Sequence, residues 1–332
     1  GQDKPYKCSS GFYLRQGPNS QKMKRDEIVD LITSVGKIKF DEIINRSFDL
    51  KKDFDNNKLS DYLIRTKIEK NIAKEKVLEE FNVLDKNVIN NAGILFFAKK
   101  PQKFISHSIF SCVLFKDKEG SDIIDRQDID GSLIEIVEDV MKFIEKNTRV
   151  AYKFTGKPQR ENIYEYPLEA IREAVINSVM HRDYFENAHN NLLRIFPDKL
   201  AIINVWKKPS WFNPGKDTFR RNKIIADLFL RIRWIERIGT GFARMRKFCR
   251  AVNAPIFRLD LDEKYFRIIF SKSKDYLDMS NDERLGERLG ERLGENQRKI
   301  MDLISKDKSI SIPEIAKDIG ISTTAVEKNI SK

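Results

Sequence analysis

PLEAIREAVINSVMHRDY, residues 167–184, decides how this chain is read. Pro167 suits a first helical position, and the apolar residues Leu168, Ile171, Ala174, Val175 and Val179, with Ser178, recur at helical spacing. The segment therefore predicts a helix over 167–181 with one buried side. Glu169, Glu173, Asn177 and His181 fall every four residues and line a second face. A carboxylate and an amide one turn apart can serve a metal-bound phosphate. The acid positions water, and the amide oxygen ligates a hard cation such as Mg²⁺. By spacing alone, such a stripe is more often the wet face of an amphipathic helix.

Working outward, a strand is expected near Leu192–Phe196 and another near Ala201–Val205. A basic loop follows, then a helix over 222–233, the turn Gly239-Thr240-Gly241, a helix over 242–251 and a strand Tyr265–Phe270. Glycines let backbone N–H groups approach an anion, and the helix start adds its partial positive charge. Thr240 could cap that helix. An ordinary tight turn explains the same residues. No G-x-x-x-x-G-K-[ST] occurs, so the chain has no P-loop. Strands alternating with helices predict an α/β sandwich over 160–273, with helices on one face of a mixed sheet.

Upstream, residues 37–159 read as a separate mixed α/β domain. The expected elements are a charged helix Asp61–Phe81, a buried strand through AGILFFA (92–98), a strand Ser108–Phe115 and a long helix Ile129–Glu145. The apolar stripe of that last helix is Leu133, Ile136, Val137, Val140 and Phe143. His107 stands alone and reads as an ordinary core or surface histidine. Residues 1–36 hold a short strand, GFYLR (11–15), and an amphipathic helix carrying Ile28, Leu31 and Ile32. They read as the remnant of a domain. Residues 274–296 contain ERLGERLGERLGE (283–295), whose period of four drifts around a helix of 3.6 residues per turn. A partly helical linker is the first reading, and a leucine stripe joining a homo-oligomer the second.

Residues 297–332 read as an all-α helix-turn-helix, the start of a winged helix that ends before its wing. Ile315 and Ala316 belong to the first helix, Gly320 to the turn, and Val326 and Ile330 to the core side of the second. Ser322 is a suitable N-cap. Thr323, Thr324, Glu327 and Lys328 would then project toward a DNA major groove. A winged helix used for protein contacts is the alternative.

Length and composition agree with a multidomain globular protein: 332 residues, 40% hydrophobic and 34% charged. No apolar run approaches the roughly 20 residues of a membrane span. The N-terminus lacks a signal-peptide core. Three distant cysteines, Cys8, Cys112 and Cys249, argue against a zinc site and fit a reducing cytoplasm. The net charge of +12 is uneven: segment 204–250 carries 13 basic against 3 acidic residues, and 283–332 carries 10 against 9. Non-specific affinity for a polyanion is thus expected from the middle of the chain, with Lys207, Lys208, Arg220 and Arg221 prominent.

Taken in order, EAIREAVINSVMHRDY (169–184), RN (221–222) and IERIGTGFARM (235–245) resemble the divergent GHKL-type ATP-binding domain of bacterial and archaeal proteins labelled transcriptional regulators or RecG-like helicases. KPYKCSSGFYLRQGPNSQ (4–21) resembles the end of the Schlafen/AlbA-type domain that precedes it in such proteins. LGERLGERLGENQRKIMDLI (285–304) and SIPEIAKDIGISTTAVEKNI (311–330) resemble their winged-helix tail. The resemblance implies ATP with Mg²⁺ as cofactor. Glu173 and Asn177 would stand at the catalytic or water-positioning acid and the Mg²⁺-binding amide. His181, Arg182 and Asp183 would follow them, and Gly239, Thr240 and Gly241 would form the glycine turn. Two features depart from the family. Asn204 is followed by Val205-Trp206 rather than Pro-Gly, the NPG falling at 213–215, and the adenine-reading Asp-x-Gly-x-Gly is absent. The implied function is a DNA-binding transcriptional regulator that senses nucleotide. An ATP-hydrolysing enzyme acting on nucleic acid, with Glu173 as general base, and a degenerate interaction scaffold are the alternatives.

Overall fold

The structure is a computed structural model describing residues 7–16, 18–25, 27–28, 38–68, 72–153, 161–208, 220–236, 240–279, 295–306 and 310–330. In chain order its strands are β1 Lys7–Cys8, β2 Gly11–Gln16, β3 Asn19–Lys22, β4 Leu84–Asp85, β5 Val88–Ile89, β6 Phe110–Phe115, β7 Ile123–Ile129, β8 Val150–Lys153, β9 Glu161–Tyr164, β10 Asn191–Ile195, β11 Lys199–Val205, β12 Arg258–Leu261 and β13 Tyr265–Ser271. Its α-helices are α1 Asn56–Thr66, α2 Lys74–Glu80, α3 Asn91–Phe97, α4 Leu133–Asn147, α5 Leu168–His181, α6 Lys223–Arg231, α7 Gly241–Ala251, α8 Glu295–Lys306, α9 Ile312–Ile319 and α10 Thr323–Ile330.

The fold is mixed α/β. Six strands form one sheet in the order β12-β13-β11-β10-β6-β7, in which only β6 and β10 run parallel. Alternation sets the inner face: Phe110 and Cys112 of β6, Leu193 and Ile195 of β10, Leu200 and Ile202 of β11, and Ile268 and Phe270 of β13 are all buried in one apolar cluster. Against it, α4 packs on β6 and β7, α5 on β11 and α4, and α7 on α5. The expected stripe of α4 is wholly buried, and a Ser132–Glu135 capping box starts that helix at Leu133 rather than Ile129, which closes β7.

This sheet changes the expected domain map. Strands β6 and β7 come from the expected middle domain, and β10, β11 and β13 from the expected sandwich, yet they share one sheet and one core. The junction is also stitched elsewhere. Tyr62 donates to the Leu228 carbonyl at 2.9 Å, and the rings of Phe96 and Phe229 lie 5.1 Å apart. The sandwich expected within 160–273 is therefore completed by strands from before residue 159.

Two elements differ in kind from their sequence reading. AGILFFA is helical: α3 is buried on every side, so its apolar run mimics a central strand. Asn90 accepts from the Gly93 N–H at 3.0 Å and starts the helix. Gly93 has no room for a side chain, since a Cβ would stand 2.5 Å from Ile89 Cγ1. The helix expected over Asp61–Phe81 is two helices. The first stops at Lys67, which takes φ 58°, without any glycine or proline to announce it. Strand β12 had no sequence signal. At the N-terminus, β1, β2 and β3 form an antiparallel sheet that includes the expected strand, while Leu31 and Ile32 of the expected helix lie outside the described residues. The ERLG repeat lies outside them as well.

Helices α8, α9 and α10 pack around a separate small cluster of Ile300, Ile315, Ala316 and Val326. Gly320 adopts φ 77° between α9 and α10, a left-handed turn that favours glycine. Ile330, expected in this core, is exposed instead. No helix among the described residues is long and apolar enough to cross a membrane.

Asp41 shows how tightly the early and late parts of the body are joined. Fully buried, it accepts the Ile224 N–H at 2.6 Å and the Ile225 N–H at 3.4 Å, capping α6 from 183 residues away. Burial pushes its carboxyl up to about 6 from 3.8, against the pull of those two N–H groups. A carboxyl whose native pKa is raised binds protons more tightly when folded, so its contribution to stability falls as pH rises from about 4 through about 6. Asp41→Asn cannot ionise. Its unfolding free energy relative to wild type should therefore climb by roughly 2–3 kcal/mol between pH 4 and pH 7. Denaturant titrations across that range check this, and a flat difference would show that the carboxyl is not shifted.

Candidate functional site

The site grows from a close helix contact. Helices α5 and α7 cross where α7 begins, and they approach closely because residue 241 has no side chain. A Cβ there would meet Glu173 Oε1 at 3.1 Å and Asn177 Nδ2 at 3.3 Å. Gly241 thus brings the start of α7, with its first-turn N–H groups and partial positive charge, against the two polar groups that the sequence singles out on α5. Gly239 lies outside the described residues.

Glu173 is buried, and burial raises its pKa despite opposing interactions with Arg244 and Asn177. Asn177 donates to Glu173 Oε1 at 3.4 Å. Arg244, one turn into α7, places Nη1 3.5 Å from Glu173 Oε2 and 3.9 Å from the exposed Glu236 Oε1. Thr240 donates its hydroxyl to Glu236 at 3.3 Å and makes no side-chain cap to α7, so the expected capping role passes to a contact on the loop. Sequence reasoning missed Arg244 and Glu236. Their sequence signal is weak: Arg244 is one of several cations on α7, placed one turn after the glycine turn, with Glu236 just before that turn.

His181, Arg182 and Asp183 lie at the other end of α5, about 12 Å along the axis from Glu173 at 1.5 Å per residue. His181 stands one turn beyond Asn177, about 6 Å along the axis, while the polar contacts of Arg182 and Asp183 run to other elements. Burial, with Arg221 and Arg220 nearby, pushes the His181 imidazole down to about 4, so it is neutral at physiological pH. Arg182 is fully buried. It donates to Asn191 Oδ1 at 3.1 Å and to the carbonyls of Glu186 and His189, and lies 5.6 Å from the Tyr184 ring. Asp183 pairs with Arg221 at 3.1 Å, and Arg221 also donates to the Lys207 carbonyl. Asn222 donates to the carbonyls of Met180 and Arg182, both at 2.9 Å. The HRD and RN motifs therefore meet, and what they hold together is the C-terminal end of α5 and the start of α6.

On the C-terminal unit, Ser322 Oγ accepts the Ala325 N–H at 3.2 Å, the expected cap. Thr323, Thr324, Glu327 and Lys328 are all exposed on α10. In segment 204–250, several cations face acids of the same chain: Arg221 pairs with Asp183, Arg244 with Glu173, and Arg220 lies 3.8 Å from Asp227. The exposed basic face of α7 is Arg246, Lys247 and Arg250. Among the described residues no cluster of three His, Cys, Asp or Glu side chains could hold a metal.

Comparison with known proteins places two of these regions. Residues 191–270 match the family described as "Putative ATP-dependent DNA helicase recG C-terminal". Residues 293–332 match the winged helix-turn-helix DNA-binding family. The chain thus carries a RecG-C-terminal-like, ATPase-type domain followed by a winged helix-turn-helix domain. The first match begins after α5, so it includes Gly241 and Arg244 but not Glu173 or Asn177. No curated protein matches significantly. Among solved structures, the DIP2311 protein from Corynebacterium diphtheriae is similar in fold, with a TM-score of 0.61 at 16% identity. The similarity covers 98% of this chain and 66% of that one, so this chain spans just under two thirds of the length of that protein.

Asn222 gives a direct measure of how the site is supported. Asn222→Ala removes two buried donors from the carbonyls that end α5, and the loss should be about 2–4 kcal/mol of unfolding free energy. Asn222→Asp, similar in shape but without donors, should be at least as damaging. Chemical denaturation checks both, and a loss below about 0.5 kcal/mol would mean that water reaches those carbonyls.

Proposed function

We propose that this protein is a DNA-binding transcriptional regulator whose GHKL-like domain binds a nucleotide between α5 and the start of α7. The observation that carries the reading is the convergence of Glu173, Asn177 and the Gly241 end of α7, one half of it inside the segment matching an ATPase-type family. A helix start with free N–H groups favours phosphate. Asn177 has a hard amide oxygen for a phosphate-bound Mg²⁺, which takes most of its remaining ligands from phosphate and water. When bound, the metal would neutralise phosphate charge. The rest is done by the chain: Gly241 opens the approach, Asn177 orients, and α5 is held rigid from its far end.

Sensing is favoured over hydrolysis by the state of Glu173. It is buried beside Arg244 and accepts from Asn177, whereas a general base needs a free carboxylate within reach of water. Nucleotide binding would then shift the population of arrangements in which the winged helix is presented to DNA. The expected cytoplasmic setting and any homo-oligomer belong to this reading too.

Isothermal calorimetry with ATP and Mg²⁺ on the whole chain should give saturable binding without phosphate release. Glu173→Ala should not change that absence of turnover. Phosphate release by the wild type that Glu173→Ala abolishes while binding persists would instead establish an enzyme. Absence of binding would leave the scaffold reading.

DNA affinity offers a second check. Non-specific affinity falls with salt at about 0.9 per phosphate contact on log scales. Arg220 and Arg221 already face acids, so the exposed cations of the basic segment, Lys207 and Lys208 together with the α7 face, carry its contribution. The triple variant Arg246→Gln, Lys247→Gln, Arg250→Gln should lower the salt slope by about 2–3, against about 1 or less for Lys328→Gln. The reverse ranking would place the polyanion surface on the helix-turn-helix.

A further inference from the structure

The contact between Arg244 and Glu173 is longer than the protein's tightest ion pairs, although Glu173 is buried. Lys272 meets Glu165 at 2.6 Å, and Lys58 meets Glu135, and Arg65 meets Glu138, both at 2.7 Å. Arg244 stands 3.5 Å from Glu173 and 3.9 Å from Glu236, divided between one buried and one exposed carboxylate. These separations exceed the 2.7–2.9 Å typical of a tight charge-assisted bond. Arg244 also sits at the wrong end of its helix. The first turn of α7 carries partial positive charge, where a cation is disfavoured unless an anion compensates. The side chain is 27% exposed and lies 5.8 Å from the Phe248 ring, so part of it already faces solvent. Glu173, buried among helix residues, depends on that guanidinium for its charge.

Resting on the nucleotide reading above, we propose that Arg244 is the phosphate-reading residue of the site and that Glu173 and Glu236 hold it in reserve while the site is empty. An incoming polyphosphate at the Gly241 end of α7 competes with the two carboxylates for one guanidinium. Arg244 is suited to that exchange because its planar fork matches phosphate as well as carboxylate. The site then discriminates by phosphate charge, since a ligand without phosphates cannot draw Arg244 away. Glu173 acts here as a positioning residue that sets the threshold for binding.

The test is a double-mutant cycle on the whole chain, read by calorimetry with Mg²⁺–ATP and with adenosine. Arg244→Gln should weaken ATP about ten-fold or more and leave adenosine unchanged. Glu173→Gln removes the internal competitor and should tighten ATP about three- to ten-fold. In the Arg244→Gln background the same Glu173→Gln change should give no gain. If relief of simple charge repulsion were the cause, the gain would persist in both backgrounds, and the proposal would be overturned. Equal loss of ATP and adenosine in Arg244→Gln would make Arg244 merely structural. If Arg244→Gln does not fold, Arg244→Lys carries the same cycle, with a smaller loss and a reduced gain. ATP binding that is indifferent to Arg244 sinks this inference and leaves the nucleotide reading standing. No ATP binding by wild type sinks both.

Discussion

Helix α5 ends in the interior of the protein, and the carbonyls of its last turn must find donors there. An α-helix leaves its final carbonyls without partners, and burial makes that costly. Here Asn222 serves Met180 and Arg182, Asn191 donates to the Ser178 carbonyl at 3.1 Å, and Asp183 and Arg182 fasten the chain that follows. One requirement thereby draws β10, the start of α6 and the turn after α5 to a single point. The position of Glu173 and Asn177 follows from it, because their height and rotation on α5 are fixed from the far end. Arg182, Asp183, Arg221 and Asn222 are thus part of what holds α5 in place.

Much of this was legible from periodicity. The 3.6-residue stripes of α4 and α5 and the two-residue alternation of β10 and β11 reflect a single packed face each, and such faces print themselves on sequence. Both partners of the Gly241–Asn177 contact carry a local signal, an i, i+4 stripe and a glycine turn, while their meeting is a property of the fold. What escaped has a common physical cause: it depends on contacts far apart in the chain. AGILFFA is uniformly apolar because α3 is surrounded, and a surrounded helix has no face to reveal. The break at Lys67 is a backbone choice that its side chain does not announce. The sheet crosses the expected boundary at 159/160 because its membership is decided by β6 meeting β10 across 81 residues, which no local pattern encodes. Arg244 was hidden among many cations, and only geometry separates it from Arg246 and Lys247.

The electrostatics of the body share a habit. Asp41 caps α6 from a short 3-10 helix, Phe40–Glu42, far away in sequence, Arg182 is buried with carbonyls as partners, and Glu173 is buried with a loosely held guanidinium. In each case a charge is kept where water cannot reach it, and each is balanced by groups from another element. Such residues report on the integrity of the assembly, since separating the elements leaves a charge without its counterpart. Among them the Glu173 arrangement differs in being held at long range, which leaves it open to exchange.

The parallel pairing of β6 with β10 also governs when the sheet can form. Until residue 195 has left the ribosome, the β6–β7 hairpin has no partner on its inner edge, and only two of the six strands are in place for the helices to cover. Closing that gap brings together strands separated by a long stretch of chain that includes α4 and α5, whose ordering entropy must be met before the pairing stabilises anything. A nascent or truncated chain stopped near residue 160 would expose the edge of β6, a strand rich in Phe, Val and Leu, to other chains. Fragments cut between α4 and α5 should therefore be treated as aggregation-prone halves of one folding unit.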